Sequence, residues 1–132
     1  MLYMKFIIKE SQMEKMISLY ISKLDYDIIV KKIKVHSVDS KVIYFVRKKN
    51  DGYADIRFET WDFKCYINSD LIDEINDLFS IDPDDYNIDA KDIVGEWVED
   101  KLNLKQIPWN KLFVMSGWMK EVIHIENTKE ES

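Results

Sequence analysis

The sequence contains very few of the residues that interrupt or cross-link a chain. Of its 132 residues only three are Gly, two are Pro and one, Cys65, is Cys. Such low Gly and Pro contents exclude a linker or low-complexity chain, and a lone cysteine excludes an internal disulfide. Apolar residues make up 46% of the chain and aromatic residues 13%, the balance of an ordered globular protein. We therefore predict one domain over residues 1–126 and a flexible tail at 127–132.

Long apolar runs and a secretion signal are also missing. No run approaches the roughly 20 apolar residues that cross a bilayer. The opening segment MLYMKFIIKESQ contains no apolar stretch that ends in a small-residue cleavage site. Together with the single cysteine, these absences predict a reducing, cytoplasmic location and no membrane partner.

Apolar spacing predicts where the helices lie. Three stretches carry apolar residues at helical spacing, which indicates helices at about 11–24, 70–80 and 90–102. Ser11 and Glu14 form a capping box, in which each side chain satisfies a backbone N–H that the first helical turn leaves open.

Between residues 29 and 68 the apolar residues alternate with polar ones, which is typical of strands. The pair Asp51-Gly52 supplies the positive φ of a tight hairpin turn. The sequences KLFVMS and EVIHIE, at 111–116 and 121–126, predict one terminal strand each. The predicted fold class is α+β, an antiparallel meander of about four strands plus terminal strands, with three helices packed on one face. The predicted core consists of Ile17, Leu24, Val35, Ile43, Phe45, Ile56, Phe58, Ile75, Phe79, Val94, Trp97 and Val98.

The net charge of −6 is concentrated in one segment. Residues 70–100 carry 12 acidic side chains against one basic side chain, a net charge of −11, whereas the preceding segment carries +4 and the following one +1. The two predicted helices of this segment place their carboxylates opposite their apolar faces. The candidate partner-binding residues are Asp70, Asp73, Glu74, Asp77, Asp92, Glu96, Glu99 and Asp100.

These carboxylates have two interpretations. An exposed run of charge is often only a solvated face. Two parallel stripes, however, would approach the density of duplex DNA, which carries one charge per ~1.7 Å. The leading hypothesis is a non-enzymatic protein that binds a nucleic-acid-binding partner protein through a DNA-mimicking surface at 70–100 and without contacting nucleic acid directly.

A calcium site is a competing explanation for part of this segment. Asp85, Asn87, Asp89 and Glu96 stand at the first, third, fifth and twelfth places of a 12-residue window, as ligands do in an EF-hand loop. The sixth place requires Gly and holds Ala90. Asp89 is equally explained as the N-cap of the helix at 90–102. We therefore predict no cofactor and favour the cap.

A magnesium-dependent nuclease is a further alternative. Asp62 and Lys64 form a D-x-K pair, preceded by Asp55 and Glu59, and such acids can hold magnesium and activate water. Polar alternation on a solvated strand face explains the same residues without catalysis. His36 and His124 lie in alternating segments, and Cys65 has the pattern of a buried hydrophobe. The chain is therefore predicted not to be an enzyme.

A structural or assembly component is the other non-enzymatic alternative. Its contact surface would be the aromatic segment that contains Trp109, Phe113 and Trp118. The same aromatic residues would also suit a core. The sequence does not decide the oligomeric state.

The stretch MKFIIKESQ, at residues 4–12, resembles the opening of many small uncharacterised bacteriophage proteins, in which a short strand runs into an E-S-Q helix cap. The resemblance implies a phage origin. The location would then be the host cytoplasm, the partner of the leading hypothesis a host protein, and the assembly of the structural alternative a virion. It implies no activity and assigns no functional residue.

Overall fold

A computed structural model of the chain describes residues 10–47, 54–82 and 88–116. Its elements follow the predicted order. They are α1 (Glu10–Lys23), β1 (Tyr26–Val35), β2 (Val38–Arg47), β3 (Ala54–Glu59), β4 (Lys64–Asn68), α2 (Ser69–Leu78), α3 (Ala90–Leu102), a 3₁₀ turn (Trp109–Lys111) and β5 (Leu112–Met115). The predicted turn at Asp51-Gly52 and the predicted strand at 121–126 lie outside the described residues.

The described strands form one sheet in the order β1-β2-β3-β4-β5. The three pairings that join β1 to β2, β2 to β3 and β3 to β4 are antiparallel, which confirms the predicted meander and the α+β class. β5 instead runs parallel to β4, with Leu112 opposite Cys65. Parallel neighbours require a long crossover connection, and the segment that contains α2 and α3 provides it.

The three helices of the described chain cover one face of this sheet. Ile17 of α1, Ile75 of α2 and Val94 of α3 are fully buried in the cluster that also contains Phe45 and Ile56. A second cluster, on the other face, contains Val42, Tyr44, Val46 and Ala54. Of the predicted core residues, eight are buried, and four are only partly buried: Leu24, Val35, Ile43 and Phe79.

Strand β3 departs from the expected alternation of buried apolar and exposed polar residues. Asp55 is 3% exposed and Glu59 is 7% exposed, so the prediction that they lie on a solvated face is wrong. Both carboxylates have basic partners, because Arg47 lies 2.8 Å from Asp55 and Arg57 lies 2.7 Å from Glu59. A bulge between β2 and β3 also shifts the register at Asp55, and bulges re-aim side chains.

The ends of the helices are capped by side chains. The Asn68 side chain accepts a hydrogen bond from the backbone N–H of Asp70 at 2.9 Å, which caps α2. Asp89 accepts from the N–H of Lys91 at 3.0 Å and caps α3, as predicted. α1 already includes Glu10 and Ser11, so the helix does not start after Ser11 as predicted, and the Ser11 side chain of the predicted cap lies outside the described residues.

A strained turn joins β1 to β2. His36 and Ser37 both have positive φ, at 52° and 67°, so His36 lies in a turn and not in the strand where the sequence placed it. Two-residue turns with two positive φ angles favour Asn-Gly, because other side chains are strained there. Replacing this pair by Asn-Gly is therefore expected to raise the free energy of unfolding by about 1 kcal/mol and the melting temperature by about 3 to 5 °C.

A calorimetric melt measures the effect of the Asn-Gly pair. The matched control is His36→Ala with Ser37→Ala, which removes the same side chains and leaves both residues with a Cβ at positive φ. An Asn-Gly variant that melts no higher than this control would contradict the assigned turn.

Candidate acidic binding cleft

Helix α3 is oriented by its apolar face. Ile93, Val94 and Trp97 are buried, whereas Asp92 and Glu96 are exposed. The helix also approaches β5 closely at Gly95. A Cβ at this position would come within 2.9 Å of the Leu112 Cδ2 atom, so glycine allows the helix to lie against the strand. The acidic side of α3 is thereby held beside the segment 103–111, which leads into β5.

A cleft of about 450 Å³ lies between α3 and this segment. Its lining combines carboxylates with apolar and aromatic groups: Asp92, Glu96, Glu99, Gln106, Ile107, Pro108, Trp109 and Leu112. Glu99 fixes one wall, because its Oε2 atom accepts a hydrogen bond from the backbone N–H of Ile107 at 2.6 Å. Trp109 is 79% exposed at the other wall. The cleft therefore presents negative charge beside an accessible indole ring.

The carboxylates of the cleft repel one another. Burial raises the pKa of the Glu96 carboxyl, and neighbouring carboxylates raise it further. These neighbours are Glu14, Glu99, Asp92 and Asp100. Burial and Asp89 also raise the pKa of Asp92, while Lys91 opposes the rise. A cation that entered the cleft would relieve this repulsion, and the arrangement favours a positively charged ligand.

The structure divides the predicted partner-binding residues between two places. Asp92, Glu96, Glu99 and Asp100 lie together on α3, and Glu14 of α1 joins them. Asp70, Asp73 and Asp77 are exposed on α2. Glu74 of α2 is occupied by other groups. Its carboxylate lies 3.0 Å from Arg47 Nη1 and accepts a hydrogen bond from the Tyr20 hydroxyl, and burial raises its pKa.

The candidate nuclease residues are only partly brought together. Burial is the chief cause of the raised pKa of Glu59, and the Asp62 carboxylate raises it further while Arg57 opposes the rise. Lys64 Nζ lies 3.5 Å from Asp62 Oδ2. Asp62 lies in the turn before β4 and not on the strand. Asp55 belongs to a different cluster, in which it accepts hydrogen bonds from Arg47 and Tyr26. Within the described ranges, no group of three or more His, Cys, Asp or Glu residues could hold a metal ion.

Of the remaining candidate residues, four lie outside the described part of the chain and one, Cys65, is buried. Asp85 and Asn87 of the calcium window lie outside the described residues, as do Trp118 and His124. Cys65 is fully buried, as predicted, and burial raises the pKa of its thiol to about 12. A thiol of this kind is protonated at neutral pH and is a poor nucleophile.

Comparisons with protein-family models, with curated proteins and with solved structures give no match to this chain. None of the helices in the described part of the chain is both long enough and apolar enough to span a membrane.

Sequence reasoning missed one residue of the cleft, Trp109, and one residue whose charge acts on it, Glu14. Glu14 was interpreted only as part of a capping box, and its charge reaches Glu96 through the packing of α1 on α3. Trp109 was considered only as a virion contact or a core residue, whereas it lines the cleft beside the acidic helix. Its position after Pro108 is the one sequence signal that places it outside a regular element.

Proposed function

We propose that this chain is a non-enzymatic binding protein whose acidic cleft captures a basic segment of a partner protein. The proposal includes a phage accessory role, in which that partner is a host protein that itself binds nucleic acid. The observation that supports it best is the cleft, where Glu96 and its neighbouring carboxylates stand beside the exposed Trp109 ring.

The chemistry of the cleft suits the side chains of arginine and lysine. Carboxylates form charge-assisted hydrogen bonds with both, and an accessible indole adds a cation–π contact worth about 0.5 to 1 kcal/mol at an exposed site. A surface that also carries Asp100 and Glu14 attracts a basic partner over a longer range. The exposed carboxylates of α2 lie apart from this group and extend the negative field without lining the cleft.

The test compares two charge-neutralised variants in a pull-down from nuclease-treated host lysate. The cleft variant carries Asp92→Asn and Glu96→Gln, two carboxylates of the cleft lining. Its captured partner is expected to bind about 10 to 100 times more weakly than it binds the wild type. Binding to the wild type should weaken as salt rises, and also as the pH falls through the raised pKa values of Asp92 and Glu96, because the carboxylates lose their charge.

The matched control carries Asp73→Asn and Asp77→Asn on α2, which removes the same number of exposed carboxylates outside the cleft. It should keep most of the affinity. Equal losses of affinity in the two variants would show that the partner binds a diffuse acidic surface and not the cleft. A partner that binds both variants as tightly as the wild type would refute the proposal.

A further inference from the structure

A second cleft lies near the turn of the β1–β2 hairpin. Two lysines line it, so its charge is opposite to that of the acidic cleft. It has a volume of about 560 Å³, which is within the roughly 300 to 1,000 Å³ typical of small-molecule sites. Its lining is rich in amino and hydroxyl groups and consists of Lys32, Ile33, Asp39, Ser40, Lys41 and Thr60.

Two lysines face each other across the strands at this cleft. Lys32 of β1 is directly opposite Lys41 of β2, and directly opposed side chains have Cβ atoms about 4.5 to 5.5 Å apart. Like charges in this position destabilise a sheet. The next charged pair along the hairpin is complementary, since Lys34 is opposite Asp39 and their side chains lie 3.7 Å apart. The like-charge pair therefore coincides with the cleft.

Lys41 is held in place by its backbone. The Thr60 hydroxyl accepts a hydrogen bond from the Lys41 N–H at 3.0 Å and donates one to the Lys41 carbonyl at 3.0 Å. The Thr60 N–H donates to the same carbonyl at 3.1 Å. Three hydrogen bonds thus join the backbone of Lys41, from which its side chain extends, to Thr60 in the turn after β3. An anion that bridges Lys32 and Lys41 would contact two ammonium groups, and that of Lys41 belongs to a residue whose backbone is fixed.

We infer that this cleft binds the phosphate group of a small anionic ligand. A phosphate dianion would neutralise Lys32 and Lys41 together and remove their mutual repulsion. Asp39 is the one acidic group of the lining, and its pairing with Lys34 reduces its opposition to an anion. The inference is independent of the acidic cleft, which takes the opposite charge.

The experiment titrates inorganic phosphate into the full chain at constant ionic strength and follows backbone amide NMR signals. Signals near Lys41 and Thr60 are expected to shift with a dissociation constant in the roughly millimolar range. The variant Lys41→Thr should weaken binding about fivefold or more, because it removes one charged donor. Lys23→Thr is the matched control, because it removes an exposed lysine at the end of α1 and outside the cleft lining, and its affinity should stay within about twofold of the wild type.

Thermal melts separate specific binding from the general stabilisation that phosphate gives to many proteins. In chloride, Lys41→Thr should melt no lower than the wild type, because the like-charge pair is gone. In phosphate, the wild type should gain more than Lys41→Thr gains. A short oligothymidylate then tests whether the ligand is small: failure to displace inorganic phosphate supports the inference, and displacement would overturn it in favour of a nucleic-acid backbone. Equal gains in both proteins, or equal loss in the Lys23→Thr control, would overturn the inference.

Discussion

Replacing Asp55 by Ala is expected to lower the free energy of unfolding by about 3 to 5 kcal/mol, the cost of removing one partner of a buried ion pair. The Asp55 side chain is 4% exposed. Its Oδ2 atom accepts hydrogen bonds from Arg47 Nε at 2.8 Å and from the Tyr26 hydroxyl at 2.7 Å. The alanine variant leaves the Arg47 guanidinium, itself 17% exposed, without its closest carboxylate. Urea denaturation measures the loss.

Two further variants distinguish the charge of Asp55 from its shape. Asp55→Asn keeps the size of the side chain and one acceptor oxygen, so it should lose less stability than Asp55→Ala. Tyr26→Phe removes one hydrogen bond and should cost about 1 kcal/mol. Burial and Asp55 both raise the pKa of the Tyr26 phenol, which therefore stays protonated as a donor at neutral pH. An Asp55→Ala protein as stable as Tyr26→Phe would show that Arg47 does not depend on this carboxylate.

The fold class was predictable because apolar periodicity records which face of each element is buried. The bounds of α3, Ala90–Leu102, coincide with the prediction, since Asp89 is a strong cap and the apolar spacing ends at Leu102. The parallel direction of β5 was not predictable from its four residues. Strand direction depends on where the crossover returns the chain, and a short apolar run does not encode that.

Of the candidate site, only the acidic side of α3 was predictable from the sequence. The periodicity of α3 placed Asp92 and Glu96 on its outer side, where the structure has them. Glu74 has the same helical spacing on α2, yet Arg47 and Tyr20 bind it. Asp55 likewise matched a solvated alternating pattern and is buried instead. In each case the partner is distant in the sequence, so local pattern could not distinguish an exposed carboxylate from a paired one.

Replacing Trp97 by Ala is the other substitution with a large expected effect, a loss of about 3 to 5 kcal/mol. Trp97 joins α3 to the sheet and to α1. Its ring centroid lies 5.3 Å from that of Phe45 and 5.8 Å from that of Tyr26, and its Nε1–H donates a hydrogen bond to the Ser22 hydroxyl at 2.9 Å. Only 6% of the residue is exposed, so alanine would leave a cavity between the helices and the sheet.

Trp97→Phe separates the ring from the hydrogen bond. It keeps an aromatic group against Phe45 and should cost less than Trp97→Ala, and Ser22→Ala should cost about 1 kcal/mol by removing the indole's acceptor. Because α3 carries the acidic cleft on its opposite side, Trp97→Ala should weaken partner binding only in proportion to the fraction of unfolded protein. Binding measured at low temperature, where the variant is folded, should therefore approach that of the wild type. A folded Trp97→Ala protein that had lost its partner would instead show that the cleft depends on how firmly α3 is packed against the sheet.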